Sequence, residues 1–360
     1  MTRFIAVLTV FLWCMTLGRS AGPGRAKPSP LEQLDPAAIP GGDRTPDLPR
    51  ETVAVLGGHN RAVAALAFSP AGGVLASSGW DNAVRLWKFG GKTAKAWTTL
   101  AGSPSGLAFA ADGKVLASGG GDSLVHLWDL TGDEPTAKAP IAGHKSRPFA
   151  VAFDPTGKKF ASASFDPALR VWHWDPVEPE AWVALVHERD QRIGISSVAF
   201  SPDGKYLAAG HLAGADSLRL WNVSGPYFVN VELPPAPARL VSFSSKALLA
   251  ASGADGTIHL WDTSSDKPKK VRHLPAENKA AAVKALAFSP DGRTLGVSYD
   301  DRTILLWNAR DGTRLRRWEQ LETATALAFA HDGRHFAWGL SDGTVLVLRL
   351  EKKYTSPGSK

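Results

Sequence analysis

Serine, histidine and aspartate occur in this chain in a pattern that could do chemistry. Ser77 stands four residues before Asp81, Asp81 six before Trp87, and His59 follows Gly58 at the head of the same stretch. His144, Ser162, Asp166 and Trp172 repeat the set. These are the side chains of a hydrolytic triad, in which histidine takes the serine proton and aspartate orients the histidine. They are equally the parts of a hydrogen-bonded fastening that satisfies buried polar groups in one chain. The elements that position them decide between the two.

Those elements repeat. An Asp precedes a Trp by six residues at Asp81/Trp87, Asp122/Trp128, Asp166/Trp172, Asp255/Trp261 and Asp301/Trp307. Trp221 follows Asp216 by five, and Leu348 takes the Trp place six after Asp342. The landmarks from Trp87 to Leu348 lie 41, 44, 49, 40, 46 and 41 residues apart, as subtraction of their numbers shows. A period of this length marks a repeat architecture. The Gly-His, Ser, Asp and Trp landmarks resemble those of the WD-repeat (Trp-Asp) family, over residues 51–350, in the form of an exported, bacterial-type, stand-alone chain. The resemblance implies an all-β fold: a seven-bladed β-propeller of four-stranded antiparallel blades.

It also implies a role for the opening residues. In that family Asp bonds His, His bonds Ser, and Ser accepts from the Trp indole N–H, pinning the loop that carries His to the third strand. A serine engaged by an indole is not an exposed nucleophile, and an active site has no need to occur twice. His59, Ser77, Asp81, Trp87, His144, Ser162, Asp166 and Trp172 are therefore expected to be a structural relay, with no catalytic residue. The other units are eroded. Gly102-Ser103-Pro104 replaces Gly-His in the second, and Ala251, Val297 and Trp338 stand where Ser belongs in the last three. The relay-bearing units, one and three, are expected to be the most rigid.

Local signals agree with sheet. Val63–Phe68 is a short apolar run, Ser69–Gly73 turns the chain, Val74–Ser78 returns, and Val84–Trp87 and Ala96–Leu100 follow. Asp-Gly or Thr-Gly turns recur at Gly113, Gly157, Gly204, Gly292 and Gly333. Such glycines supply the positive φ that tight β-turns require. The last unit ends with its third strand, while Thr52–Leu56 is an unclaimed β segment ahead of the first unit. Pairing the two would complete the seventh sheet and close its edge.

The resemblance puts the residue before each turn Asp at the narrow end of a propeller, a frequent binding face in the family. Trp80 and Phe165 hold that place, and large aromatics at such positions serve as binding anchors. His211 and Tyr299 are further candidates. Between them these four are the expected partner-binding residues, for a protein or peptide partner. An extra pair of residues around 211–216 and a long loop at 187–193 could also carry function. The alternative is a ligand-binding or hydrolytic propeller using the central channel, but the innermost segments are nearly all small and apolar. Gly119–Gly121 is not a strand-to-helix phosphate loop. No cofactor and no metal are expected, since no Cys/His pair has ligand spacing.

The N-terminus reads differently from the rest. Phe4–Leu17 is uncharged, follows Arg3, and leads into Gly18-Arg19-Ser20-Ala21. It is short of the ~20 apolar residues of a spanning helix and reads as a signal peptide over 1–26, cleaved after Ser20 or Ala26. Export to the periplasm or medium is expected, with an uncleaved signal-anchor as the alternative. Residues 27–50 form a Pro-rich linker and 351–360 a polar tail. The sole cysteine, Cys14, lies in the leader. Net charge is +7; setting aside Arg3, Arg19 and Arg25 leaves 38 basic against 34 acidic residues, or +4. That favours solubility over nucleic-acid binding. The mature chain is expected to be a monomer without a membrane span.

Overall fold

The computed structural model describes residues 49–351 apart from 91–93, 102–104, 167, 174–179, 187–193, 212–217, 226–228 and 232–237. The signal peptide, all but the last two residues of the linker, the 187–193 loop, the 212–217 insertion and the tail beyond 351 lie outside the described residues. Within them the chain forms seven four-stranded antiparallel sheets. Each sheet is one blade, running from an inner to an outer strand.

The inner strands are Val63–Phe68, Leu107–Phe109, Pro148–Phe153, Ile195–Phe200, Val241–Phe243, Val283–Phe288 and Ala324–Phe329. Each contacts the inner strand of the next blade, and the last contacts the first, so the ring is closed. The repeat has a register behind it. Trp87 pairs with Leu75, Trp128 with Leu116, Trp172 with Phe160, Trp221 with Leu207, Trp261 with Leu249, Trp307 with Leu295, and Leu348 with Phe336. One large third-strand side chain therefore meets one large second-strand side chain in every blade. A one-residue slip would turn each of them to the opposite face, so the fixed Asp–Trp spacing is a register lock. Six of these landmarks are fully buried or nearly so; Trp221 is half-buried.

Close approach between blades is bought by small residues and hydroxyls. A Cβ on Gly339 would stand 2.4 Å from Val63 of blade one, and one on Gly119 would stand 2.2 Å from the Pro148 carbonyl of blade three. Hydroxyls on or beside the inner strands cross the same junctions. Ser105 donates to Pro148 O (2.8 Å), Ser197 to Val241 O (3.3 Å), and Thr325 to Val63 O (2.6 Å). These polar side chains face neighbouring backbone and are spent there.

The seventh blade closes as the sequence suggests. Thr52–Leu56 pairs antiparallel with Val345–Arg349, in the register Thr52↔Leu348 to Leu56↔Val345. The Arg349 N–H donates to Glu51 O (2.8 Å), and the Glu51 carboxylate pairs with Arg316 of blade six. Ala54, Val55 and Leu56 are buried, so the clasp is apolar as well as hydrogen-bonded.

Turn chemistry is nearly uniform. Gly113, Gly157, Gly204, Gly292 and Gly333 all have φ between +63° and +72° in the first hairpin of their blades. Blade five lacks that glycine, and Ala247 is held at φ +56° instead.

Candidate functional site

Each complete set assembles within its own blade. In blade one His59 Nδ1 lies 2.8 Å from Asp81 Oδ1, and His59 Nε2 lies 2.9 Å from Ser77 Oγ. The Trp87 indole N–H donates to Ser77 Oγ at 3.1 Å. Blade three repeats this at 3.1 Å, 2.7 Å and 2.9 Å through His144, Asp166, Ser162 and Trp172. One proton assignment accounts for the bonds among the four side chains, while Arg85 Nη1 and Arg170 Nη1 also stand 2.6 Å and 2.9 Å from the same Nδ1 atoms. The histidine is neutral, its Nδ1–H donates to the aspartate, its Nε2 accepts the serine O–H, and the serine oxygen accepts the indole. The serine has no exposure in either blade. These are fasteners and not a nucleophilic site.

Sequence reasoning missed the fifth member. Arg85 Nη1 donates to Asp81 Oδ2 at 2.9 Å, and Arg170 Nη1 to Asp166 Oδ2 at 3.4 Å, each four residues after its aspartate. Arginine stands two residues before the landmark Trp in blades one, three and four, and that placement was the available signal. The aspartate also caps the start of the histidine loop, accepting from Asn60 N at 3.3 Å or Lys145 N at 2.6 Å. Gly79 belongs to the same arrangement, because a Cβ there would meet His59 Nδ1 at 2.4 Å and Asp81 Oδ1 at 2.5 Å.

Electrostatics follow the geometry. Burial pushes the pKa of His59 and His144 down; Asp81 and Asp166 pull the other way, and Arg85 and Arg170 reinforce the lowering. Burial alone would raise Asp81 and Asp166. Their bonds to the histidines and to the Asn60 and Lys145 N–H groups outweigh it and hold both carboxyls below the usual range.

The eroded blades show what the relay replaces. The Ser118 hydroxyl of blade two is buried without a hydrogen-bond partner, and His126 takes the arginine place, 2.8 Å from Asp122 Oδ2. With Ala251 and Val297 at the serine position, the indole N–H groups of Trp261 and Trp307 are buried and unsatisfied, as is that of Trp338. His273 lies in the outer strand of blade five, opposite His259.

Of the four expected partner-binding residues, the structure leaves two at the surface. Trp80 is 40% exposed and Phe165 is half-buried. Tyr299 and His211 are corrected: both are buried, at 2% and 5% exposure. The Tyr299 hydroxyl reaches back to Gly256 O at 3.3 Å in blade five, and burial raises its pKa far above the ordinary phenol value. Tyr299 precedes a second acidic residue, Asp300, so in blade six the residue at the hairpin tip is Asp300 and the tyrosine falls one place inside the strand. His211 ends its strand with its N–H bonded to Ala238 O of the next blade at 2.8 Å, which draws the side chain into the junction.

Trp80 and Phe165 belong to one cluster, although their blades are not neighbours in sequence. The Arg147 guanidinium, at the start of the inner strand of blade three, lies 5.0 Å from the Trp80 ring centroid and 5.9 Å from that of Phe149. Phe149 meets Phe165 edge-on at 3.8 Å. Blade two, between them, carries Gly121 at the tip position that Trp80 and Phe165 hold in their blades. Leu321, 58% exposed, lies at the same end in the connection from blade six to blade seven.

The basic run on the outer strand of blade six is neutralised. Arg314 and Arg317 pair with Glu277, Arg317 also with Glu319, and Arg316 with Glu51. Among the described residues there is no group of His, Cys, Asp and Glu suited to a metal, and no helix long and apolar enough to cross a membrane.

Closed ring, repeated register and Ser-His-Asp-Trp relay together define a seven-bladed propeller of the Trp-Asp type. Known proteins agree with that class. The WD domain, G-beta repeat family matches residues 50–88, 96–129, 136–173 and 186–222, and the anaphase-promoting complex subunit 4 WD40 domain matches residues 241–324. Both matches are to WD40 repeats, and with the seven-bladed fold they support a WD-repeat β-propeller family for this chain. Its relatives include mouse apoptotic protease-activating factor 1, 28% identical over 60% of this chain and 17% of that protein. Chicken serine-threonine kinase receptor-associated protein is 28% identical over 49% of this chain and 47% of its own length. Drosophila protein groucho is 28% identical over 44% and 21%. The chain thus spans less than half the length of each of these three.

Proposed function

We propose that this protein is a non-enzymatic interaction scaffold that presents the relay-bearing end of its propeller to a protein or peptide partner, outside the cytoplasm. The observation that carries the reading is Trp80, a large aromatic left 40% exposed on a hairpin tip beside Phe149 and Phe165. Aromatic anchors of this kind dominate interface energetics. The Ser-His-Asp sets that resembled catalytic parts are consumed by indoles and arginines, which removes them as a competing chemistry. WD-repeat relatives typically act as interaction scaffolds, which supports the class of function but names no partner for this chain. Export rests on the apolar leader read from the sequence alone.

The test is comparative affinity capture from the export compartment with wild type, Trp80→Ala, Phe165→Ala and, as a control on an outer strand, Val271→Ala. Loss of the same captured proteins in the two aromatic variants, with the control unchanged, is the expected outcome. An identical captured set in all four would overturn the assignment of this face. Retention of the leader in mature protein from cells would replace export with membrane tethering.

A further inference from the structure

The outer strand of blade five, Lys269–Leu274, is exposed at every residue but the last. With Lys267 in the turn before it, this edge carries the exposed cations Lys267, Lys269, Lys270 and Arg272. Among the described residues none of the four is in an ion pair. Lys270 lies over the Trp261 ring at 5.7 Å, and Arg272 donates to Arg310 O at 3.2 Å; neither contact brings a negative charge. The acidic residues around the edge are otherwise engaged. Asp262 stands opposite Lys269 in the sheet, and its carboxylate accepts the Ser264 N–H at 2.9 Å. Asp311 accepts the Thr313 N–H and the Asn308 amide, each at 2.8 Å, and Asp266 pairs with Lys205.

The same strand of blade six is built the other way: Arg314, Arg316 and Arg317 are all paired, with Glu277 and Glu51. One basic strand is thus neutralised within the protein and its neighbour is not. Like charges left on one edge repel each other and cost stability. Protection of the edge does not account for them, because the register skips Val271 between Lys270 and Arg272, and that bulge already spoils the strand for pairing with another.

The patch also lacks the parts of other binding surfaces. Protein interfaces are anchored by aromatic side chains and depleted in lysine. Membrane-surface contacts insert Trp, Phe or Leu, and single-stranded nucleic acid stacks on aromatic rings. Here the exposed apolar residue is Val271 alone, among lysines. Ammonium groups are hydrated point charges on flexible stems, so they respond to the number of anionic groups presented. Short Lys/Arg runs of this kind make heparin-type patches. An extended strand advances about 3.3 Å per residue, which spreads the cations from 267 to 272 over roughly 15 Å. That is a row and not a single point, and it suits a linear polymer.

We propose that the outer edge of blade five binds an acidic polysaccharide, with Lys267, Lys269, Lys270 and Arg272 pairing with successive carboxylate or sulfate groups along the glycan. This surface lies on a different blade from Trp80 and Phe165 and does not depend on the partner-binding reading above.

Biolayer interferometry of the full chain over immobilised dextran sulfate and polygalacturonate, with neutral dextran as the reference, tests this. Wild type should bind an acidic glycan and not dextran, and should lose affinity as salt is added. The two acidic arms separate sulfate from carboxylate recognition. Lys269→Gln/Lys270→Gln/Arg272→Gln should bind about tenfold or more weaker. Lys88→Gln/Lys95→Gln/Lys114→Gln removes the same charge from exposed lysines of blades one and two and should stay within about twofold of wild type. Lys269→Arg/Lys270→Arg keeps the charge and should keep the binding, as should Trp80→Ala. A urea midpoint for each variant separates lost binding from lost folding, and the double variant Lys269→Gln/Lys270→Gln reads the same outcome should the triple unfold. Equal losses in the two triple variants would reduce the effect to net charge and overturn the proposal. So would failure to bind either acidic glycan, equal binding to dextran, or binding of duplex DNA or anionic lipid vesicles without binding of the acidic glycans.

Discussion

Replacing Ser77 by Ala removes one oxygen and two hydrogen bonds. The Ser77 hydroxyl donates to His59 Nε2 at 2.9 Å and accepts the Trp87 N–H at 3.1 Å. Ser77 and Trp87 have no exposure and His59 only 6%, so water cannot replace the lost oxygen without opening the blade. The variant leaves a buried imidazole nitrogen and a buried indole N–H without partners. Each such group costs roughly 1–3 kcal/mol, so about 3 kcal/mol is expected for the pair, since the imidazole can take up part of the loss by shifting its tautomer. Blades five and six set the scale, because they keep a buried Trp261 and Trp307 with Ala251 and Val297 in the serine position, and the ring still closes. The variant should therefore fold, with a lowered urea midpoint and an unchanged m-value. Ser162→Ala in blade three should match it, whereas Ser118→Ala in blade two should cost under ~1 kcal/mol, because that hydroxyl has no partner to lose. Equal losses at Ser77 and Ser118 would refute the view that the hydrogen-bonded chain, and not the side-chain volume, carries the stability.

Two further outcomes follow from the same geometry. His59 and His144 have native pKa values below 6.5, so below that pH the unfolded chain binds more protons than the folded one. Their contribution is complete above pH 6.5 and declines as the pH falls from 6.5 toward the lowered native values, by up to about 1.4 kcal/mol per pH unit per histidine. His259, lowered by burial and by Lys270, adds in the same direction. Urea midpoints measured between pH 7.5 and pH 5 should fall steadily, and a flat profile would show that the imidazoles accept protons in place. Separately, Ala247→Gly should stabilise the protein by about 0.5–1 kcal/mol, because alanine is strained at a positive φ that glycine adopts freely. Calorimetry reads the shift, and a lower melting temperature would mean that the turn is held by something other than its backbone.

The fold was legible because each blade repeats one physical solution. Asp-to-Trp spacing is a register, and register is fixed by side chains that must face a core, so the pattern survives where individual residues change. Leu348 replaces Trp in blade seven and keeps the same partner position, opposite Phe336. Contacts between blades were not legible. Nothing in the local pattern says that the Arg147 guanidinium of blade three lies against the Trp80 ring of blade one, since the two residues come from blades that are not neighbours in sequence. Tyr299 and His211 were misread for a related reason. Both stand near hairpin tips in sequence, but Tyr299 lies one place inside the strand, behind the tip residue Asp300, and the His211 backbone is bonded at the junction with the next blade; both side chains are buried.

Position along the ring links stability to recognition. The two blades that retain the full relay are those whose hairpin tips carry the exposed and half-exposed aromatics, and the blade between them has lost both. In blade one the chain from Trp87 through Ser77 and His59 to Asp81 ends on the residue next to Trp80; in blade three the equivalent chain ends next to Phe165. A buried hydrogen-bonded network resists small displacements because moving any member orphans another. The aromatics stand next to the last member of each chain, on either side of the blade that carries Gly121 at the same position, without being buried themselves. Rigid anchors lose little entropy on binding, so under the proposed function the polar networks of these two blades would give a return that the blades with orphaned indoles, five, six and seven, do not share.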